Sequence, residues 1–241
     1  MMKTPALDKY INAQVKYWQQ QKHSLKEPPE GKSLRQFITI SREYGCSGYS
    51  IAKEIVKILN EADKTPEPLW AAYERQVLDR VMEEMDLSSS LVKTLTDDAL
   101  RDLTDILKSA FSDLPPQVAV YQKLAQTIRI LAAHGNVIIV GRASNVITRG
   151  MKGGYHVQMV APMEYKVHNV MKFKNISKKE AEKLVIENTA RRENYIKEYV
   201  KFDVSDPHNY DLILNLANTT VKGVANLIIE GMRIKTHHLK E

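Results

Sequence analysis

The sequence predicts an α/β fold with a central parallel sheet, and three observations carry that prediction. Short apolar β-type runs at 37–40, 137–140, 156–160 and 212–215 alternate with segments of helical periodicity. That alternation lays strands side by side with helices crossing between them. The run Val137-Ile138-Ile139-Val140 is continuously apolar and β-branched, which suits a strand buried on both faces. Finally, the run Phe37 to Ile40 enters a short glycine-containing turn that opens directly into an amphipathic helix. Loop N–H groups and the helix dipole then point at one spot, whose usual occupant is phosphate.

Composition narrows the function classes. A chain of 241 residues makes one medium domain with appendages, or at most two small ones, and 43% hydrophobic residues can fill a sizeable core. No apolar run reaches the ~18–20 residues that span a bilayer. The start, MMKTPALDKYINAQ, lacks the apolar core of a secretory signal. Cys46 is the only cysteine, which rules out an intrachain disulfide and a cysteine-based zinc cluster. These features fit a soluble protein of the cytoplasm. The net charge of +6 suits an anionic partner. No RNA-binding signature or ordered basic-aromatic repeat accompanies it, so a nucleotide is expected rather than nucleic acid or a membrane.

The elements follow in order. Thr4-Pro5 reads as a cap and first-turn proline, and Leu7, Ile11, Val15 and Trp18 recur at helical spacing over 5–21. This helix is expected to pack on its own domain, with a homodimer contact as the other reading. Pro28, Pro29 and Gly31 mark 22–35 as a linker. The helix after the glycine turn runs from 48 to about Asn60, and 61–68 is a turn-rich loop. Tyr73, Val77, Val81 and Met85 form another helical stripe. Residues 87–114 read as helical and acidic, ending at Pro115-Pro116, and a further helix reaches Gly135. Gly141-Arg142 follows the buried strand at its carboxyl end, where open α/β sheets bind ligands. Pro162 starts a helix to about Phe173. Ser177 and Glu180 form a capping box for a long basic helix to Tyr199, and 219–235 is the closing helix. His237-His238 reads as a frayed tail.

The loop Ser41-Arg42-Glu43-Tyr44-Gly45-Cys46-Ser47-Gly48-Tyr49-Ser50 matches a P-loop in context but not in letter. The motif is G-x-x-x-x-G-K-[ST]. With its last glycine on Gly48, Ser50 takes the hydroxyl position that touches Mg²⁺. Tyr49 then stands where the lysine belongs, and Glu43 where the first glycine belongs. The lysine normally contacts the β- and γ-phosphates, and an unreplaced loss costs several kcal/mol of transition-state stabilisation. Arg42, inside the same loop, is the expected substitute. Cys46 lies near a helix N-terminus, where a thiol pKa falls. It is read as a small loop residue, since no histidine lies nearby in sequence.

Five blocks together carry a resemblance: FITISREYGCSGYSIAKEIVKIL at 37–59, VIIVGRASNVI at 137–147, HVQMVAPMEYKVHNVMKF at 156–173, ENTARRENYIKEY at 187–199 and NYDLILN at 209–215. In order and spacing they resemble the cytidylate kinase-like family. That resemblance implies a P-loop NTPase-like three-layer fold with a helical insert over 86–134 and a lid-like region over 174–205, all within a domain of residues 36–241. It implies that Ser41, Tyr44, Gly45, Cys46, Ser47, Gly48, Tyr49 and Ser50 hold ATP, with Ser50 on Mg²⁺. Gly141 and Arg142 resemble the pair that grips an acceptor monophosphate. Ala143 stands where cytidylate kinases have an aspartate that reads the ribose, and Ser144 and Asn145 offer other hydrogen bonds. Glu74 and Arg75 would face the acceptor. Arg191 and Arg192, with Asn188 before them, fall in the lid block, where cations close over the γ-phosphate. Lys178, Lys179 and Lys183 read as a solvated face. The implied function is transfer of a phosphoryl group from ATP to a nucleoside monophosphate such as CMP. The alternatives are a non-catalytic nucleotide sensor, a kinase of a non-nucleotide metabolite, and an interaction protein without a ligand.

Overall fold

The structure is a computed structural model that describes residues 35–62, 69–74, 119–200 and 203–238. The expected N-terminal helix and linker, the acidic segment and Arg75 lie outside the described residues. The elements are β1 (Phe37–Arg42), α1 (Gly48–Ala62), β2 (Ala71–Tyr73), α2 (Ala119–His134), β3 (Val137–Val140), α3 (Ser144–Ile147), β4 (Gly154–Val160), α4 (Met163–Lys174), α5 (Lys178–Val200), a 3₁₀ turn (Pro207–Asn209), β5 (Leu212–Asn215) and α6 (Val221–His238). The five strands form one parallel sheet in the order β2-β3-β1-β4-β5. This is the α/β, P-loop NTPase-like fold that the sequence predicts.

The two faces of the sheet differ in chemistry, because side chains alternate along a strand. Ile38 and Ile40 of β1 lie in register with Tyr155 and Val157 of β4. These residues share a buried core with Ile51 and Ile55 of α1 and Val224 and Ile228 of α6. On the opposite face, Thr39 pairs with His156 and Ser41 with Gln158. Thr39 Oγ1 and His156 Nδ1 approach to 2.8 Å. Asn145 of α3 lies over Ser41 at 3.2 Å, and α2 packs on β3 and α3. Helices therefore cover both faces, and the polar face runs up to the carboxyl edge of the sheet.

Among the described residues most of the expected elements are present, with three differences. Tyr73 does not open a helix. It closes β2, fully buried and paired with Ile139 of β3, and three residues are too few to display an alternating pattern. The one-turn helix α3 is an addition. His237 belongs to α6 rather than to a frayed tail. The capping box stands as expected: Ser177 N donates to Glu180 Oε2 at 2.9 Å, and Glu180 N donates back to Ser177 Oγ at 3.4 Å.

Candidate active site

The site begins where β1 ends. Its loop turns through left-handed backbone at Gly45 (φ 95°) and Ser47 (φ 47°) before α1 starts at Gly48. A Cβ on Gly45 would stand 2.9 Å from the Lys166 backbone, so that close approach requires glycine. Glu43, in the place of the motif's first glycine, ties the loop to α4. Its carboxylate accepts from Ala161 N at 3.1 Å and pairs with Lys166 Nζ at 2.9 Å. Asn169 Nδ2 donates to the Gly45 carbonyl at 3.0 Å. The amides of Glu43, Cys46, Ser50 and Ile51 are spent on protein carbonyls. Those of Tyr44, Gly45, Ser47, Gly48 and Tyr49 take no protein acceptor among the described residues. A fixed loop of open N–H groups at a helix N-terminus is a cradle for an anion.

Beside the cradle, β3 ends in a second turn. Gly141, Arg142 and Ala143 all adopt positive φ (78°, 58° and 52°). Two successive non-glycine residues in this region store strain of about 1–3 kcal/mol each, which usually marks a functional turn. The Arg42 side chain bridges the two turns. A Cβ on Gly48 would touch its stem at 3.4 Å, and a Cβ on Gly141 would overlap its guanidinium nitrogen Nη1. Burial, followed by the charge of Arg192, lowers the Arg42 pKa to about 10, so it remains a cation at neutral pH. Glu74 at the end of β2 opposes those effects. Partial burial raises the Glu74 pKa, against the pull of Arg42 and Lys53.

A cavity of about 370 Å³ opens at this edge of the sheet. It gathers Ser41, Arg42, Gly141, Arg142, Arg191 and Arg192, six of the residues singled out from the sequence. Arg192 Nη1 donates to the Arg42 carbonyl at 3.4 Å, and its guanidinium lies 5.1 Å from the Tyr44 ring centroid. Thus α5 rests on the cradle loop. Asn145 is nearly enclosed, at 5% exposure, beside Ser41 and outside this cavity. Ser144 turns its hydroxyl to the Ile139 carbonyl at 3.4 Å, and Asn188 donates its amide to Leu184 of its own helix at 2.8 Å. Tyr44, Gly45, Cys46, Ser47, Gly48, Tyr49 and Ser50 belong to the cradle and do not line the cavity. Ser50 is exposed on the first turn of α1.

The fall in thiol pKa expected at Cys46 is corrected. The thiol is fully buried, and burial, with the nearby Glu43 charge, raises its pKa to about 11. Desolvation outweighs the helix N-terminus, so Cys46 is an inert packing residue. Sequence reasoning missed Gln158, Thr189 and Tyr210, which also line the cavity. It missed Lys53 as well, whose ammonium lies 5.2 Å from the Tyr49 ring centroid. Gln158 had a signal, because it follows the alternation of β4 onto the polar face. Thr189 sits one turn before Arg192 on α5 and had only that spacing.

A sequence profile described as the cytidylate kinase-like family matches residues 37–218. The chain belongs to this family. A cytidylate kinase from Methanocaldococcus jannaschii is 32% identical over 100 residues, covering 41% of this chain and 56% of that protein. The chain therefore spans little more than half the length of this relative. A crystal structure of an uncharacterized protein from Eubacterium ventriosum shares the fold, with a TM-score of 0.56 at 19% identity, covering 83% of this chain and 99% of that one. Among the described residues no helix is long and apolar enough to cross a membrane.

Proposed function

We propose that the chain moves the γ-phosphoryl group of ATP to a small acceptor, a nucleoside monophosphate such as CMP. One observation carries the reading: Arg42 is wedged between the anion cradle and the Gly141-Arg142 turn. A cation there can touch a donor phosphate and an acceptor phosphate at once, and so supply the positive charge that the missing lysine would bring.

In this mechanism the open amides of Tyr44, Gly45, Ser47, Gly48 and Tyr49 hold the triphosphate. Arg142 orients the acceptor phosphate, and Arg42 and Arg192 neutralise charge on the transferring group. An oxygen of the acceptor phosphate attacks the γ-phosphorus. The bond to the β,γ-bridging oxygen breaks, leaving ADP. The attacking oxygen is already ionised, so no general base is needed, and catalysis is positioning and electrostatics. Arg191 and Arg192 ride on α5, which acts as the lid. Among the described residues no group of three or more His, Cys, Asp or Glu could hold a metal ion. The exposed Ser50 hydroxyl would be the protein contact of Mg²⁺, which would supply charge neutralisation on the phosphates.

A second reading has its own support. Tyr49 occupies the lysine position, and Arg192 rests on Tyr44. A protein that binds nucleotide and signals without transfer would look the same there. ADP production from ATP and Mg²⁺ against CMP, dCMP, UMP, AMP and GMP, with R42A as control, separates the two. Turnover with one acceptor, lost in R42A, supports the kinase. Nucleotide binding without turnover on any acceptor supports the sensor.

A further inference from the structure

The cavity beside Arg42 has a second chemistry. Four arginines line it, yet so do Gln158 of β4 and Thr189 of α5. Gln158 Oε1 and Thr189 Oγ1 are both shut off from solvent and take no hydrogen-bond partner among the described residues. Native proteins seldom keep a buried polar atom unpaired without a use for it. Neither side chain is fully enclosed. The terminal torsion of a glutamine is broad and roughly two-fold, so turning its amide toward the cavity costs little. A carbonyl oxygen only accepts, and a threonine hydroxyl can accept or donate. The carbonyl oxygen does not attract phosphate, whereas the hydroxyl can serve either a phosphate or a neutral group. The arginines suit the anionic part of a ligand, while these two oxygens suit an uncharged part that carries N–H or O–H groups.

We propose that Gln158, with Thr189 facing the same cavity, determines acceptor specificity by hydrogen bonding to the neutral ring of the acceptor. The acceptor is then a phosphorylated molecule with an uncharged N–H-bearing heterocycle, such as a nucleobase. A sugar phosphate without a base offers O–H donors but no ring N–H, so comparing the two ligands tells which is read. Ser41, the register partner of Gln158, places this recognition next to the turn that grips the phosphate. The inference rests on the phosphotransferase reading above and adds which part of the acceptor is read.

Calorimetric titration of the full chain tests it. The probes are CMP, or whichever of UMP, AMP and GMP binds most tightly, ribose 5-phosphate and ATP. The wild type should prefer the nucleotide to ribose 5-phosphate by at least about tenfold. Q158L should lose roughly that factor toward the nucleotide, while ribose 5-phosphate and ATP stay within about twofold. T189V should move the same way by a smaller factor, and unchanged ATP affinity certifies that each variant is folded. If Q158L and T189V both bind the nucleotide as the wild type does, the inference falls while the kinase reading stands. If the wild type binds neither ATP nor any monophosphate, both fall.

Discussion

Replacing Arg42 with methionine should make the ligand-free protein more stable while removing its response to phosphate ligands. The lowering of the Arg42 pKa from 12.5 to about 10 amounts to roughly 3 kcal/mol against the charged form. The sign follows from linkage. The side chain is charged in the unfolded chain and in the native site, but the native site holds that charge less well. Native stability is therefore reduced at every pH below about 10, and fully so at neutral pH. Methionine keeps an unbranched stem between Gly48 and Gly141 and removes the buried charge. The full 3 kcal/mol is an upper bound, since relaxation around the guanidinium recovers part of it; roughly 1–3 is expected. For a chain of this size that corresponds to a rise in Tm of about 3–10 °C. Differential scanning fluorimetry with and without ATP·Mg²⁺ reads both effects. The wild type should melt lower when empty and gain more from ligand. An empty R42M that melts several degrees below the wild type would refute the reasoning, because Arg42 would then be a stabilising contact rather than a site held at a cost.

Other predictions follow from single contacts. Gly141→Ala places a Cβ onto the Arg42 guanidinium at a φ of 78°; it should cost about 1–2 kcal/mol of stability in a denaturant melt and lower phosphoryl transfer by roughly a hundredfold. Glu43→Gln removes the charge partner of Lys166; a loss of about 1–2 kcal/mol is expected, with weaker ATP binding as the loop loosens. Burial holds the His156 pKa down to about 4, so the ring is neutral in the native state. Stability tied to it is present above the ordinary value of about 6.5 and is lost as pH falls toward 4, by roughly 3 kcal/mol at the bottom of that window. Melting of His156→Gln against the wild type at about pH 7 and about pH 4.5 should show a shallower fall in the variant.

What could be read from the sequence followed the strength of each local pattern. Val137–Val140 announces itself by four buried apolar residues in a row, and the break from β1 into α1 by its glycines. β2 was hidden, because Ala71-Ala72-Tyr73 is too short for a period and Tyr73 also fits a helical stripe. The arginines were legible because they follow strand ends or sit in a lid block. Their convergence was not, because the wedge of Arg42 between Gly48 and Gly141 is a tertiary contact across ninety-odd residues. The thiol pKa of Cys46 misled for the opposite reason: position relative to a helix is visible in sequence, whereas burial is not. Gln158 and Thr189 lie in regular elements with no motif around them, and only the shared cavity joins them.

The central claim is that the cradle and the Gly141-Arg142 turn face each other across Arg42 to pass a phosphoryl group. The most direct test follows a radiolabelled γ-phosphoryl group of ATP in single turnovers with CMP and related monophosphates. The account predicts label on one acceptor in the wild type and its loss in R142A, which still binds ATP. ATP bound by the wild type while the label stays on the donor with every acceptor would contradict it.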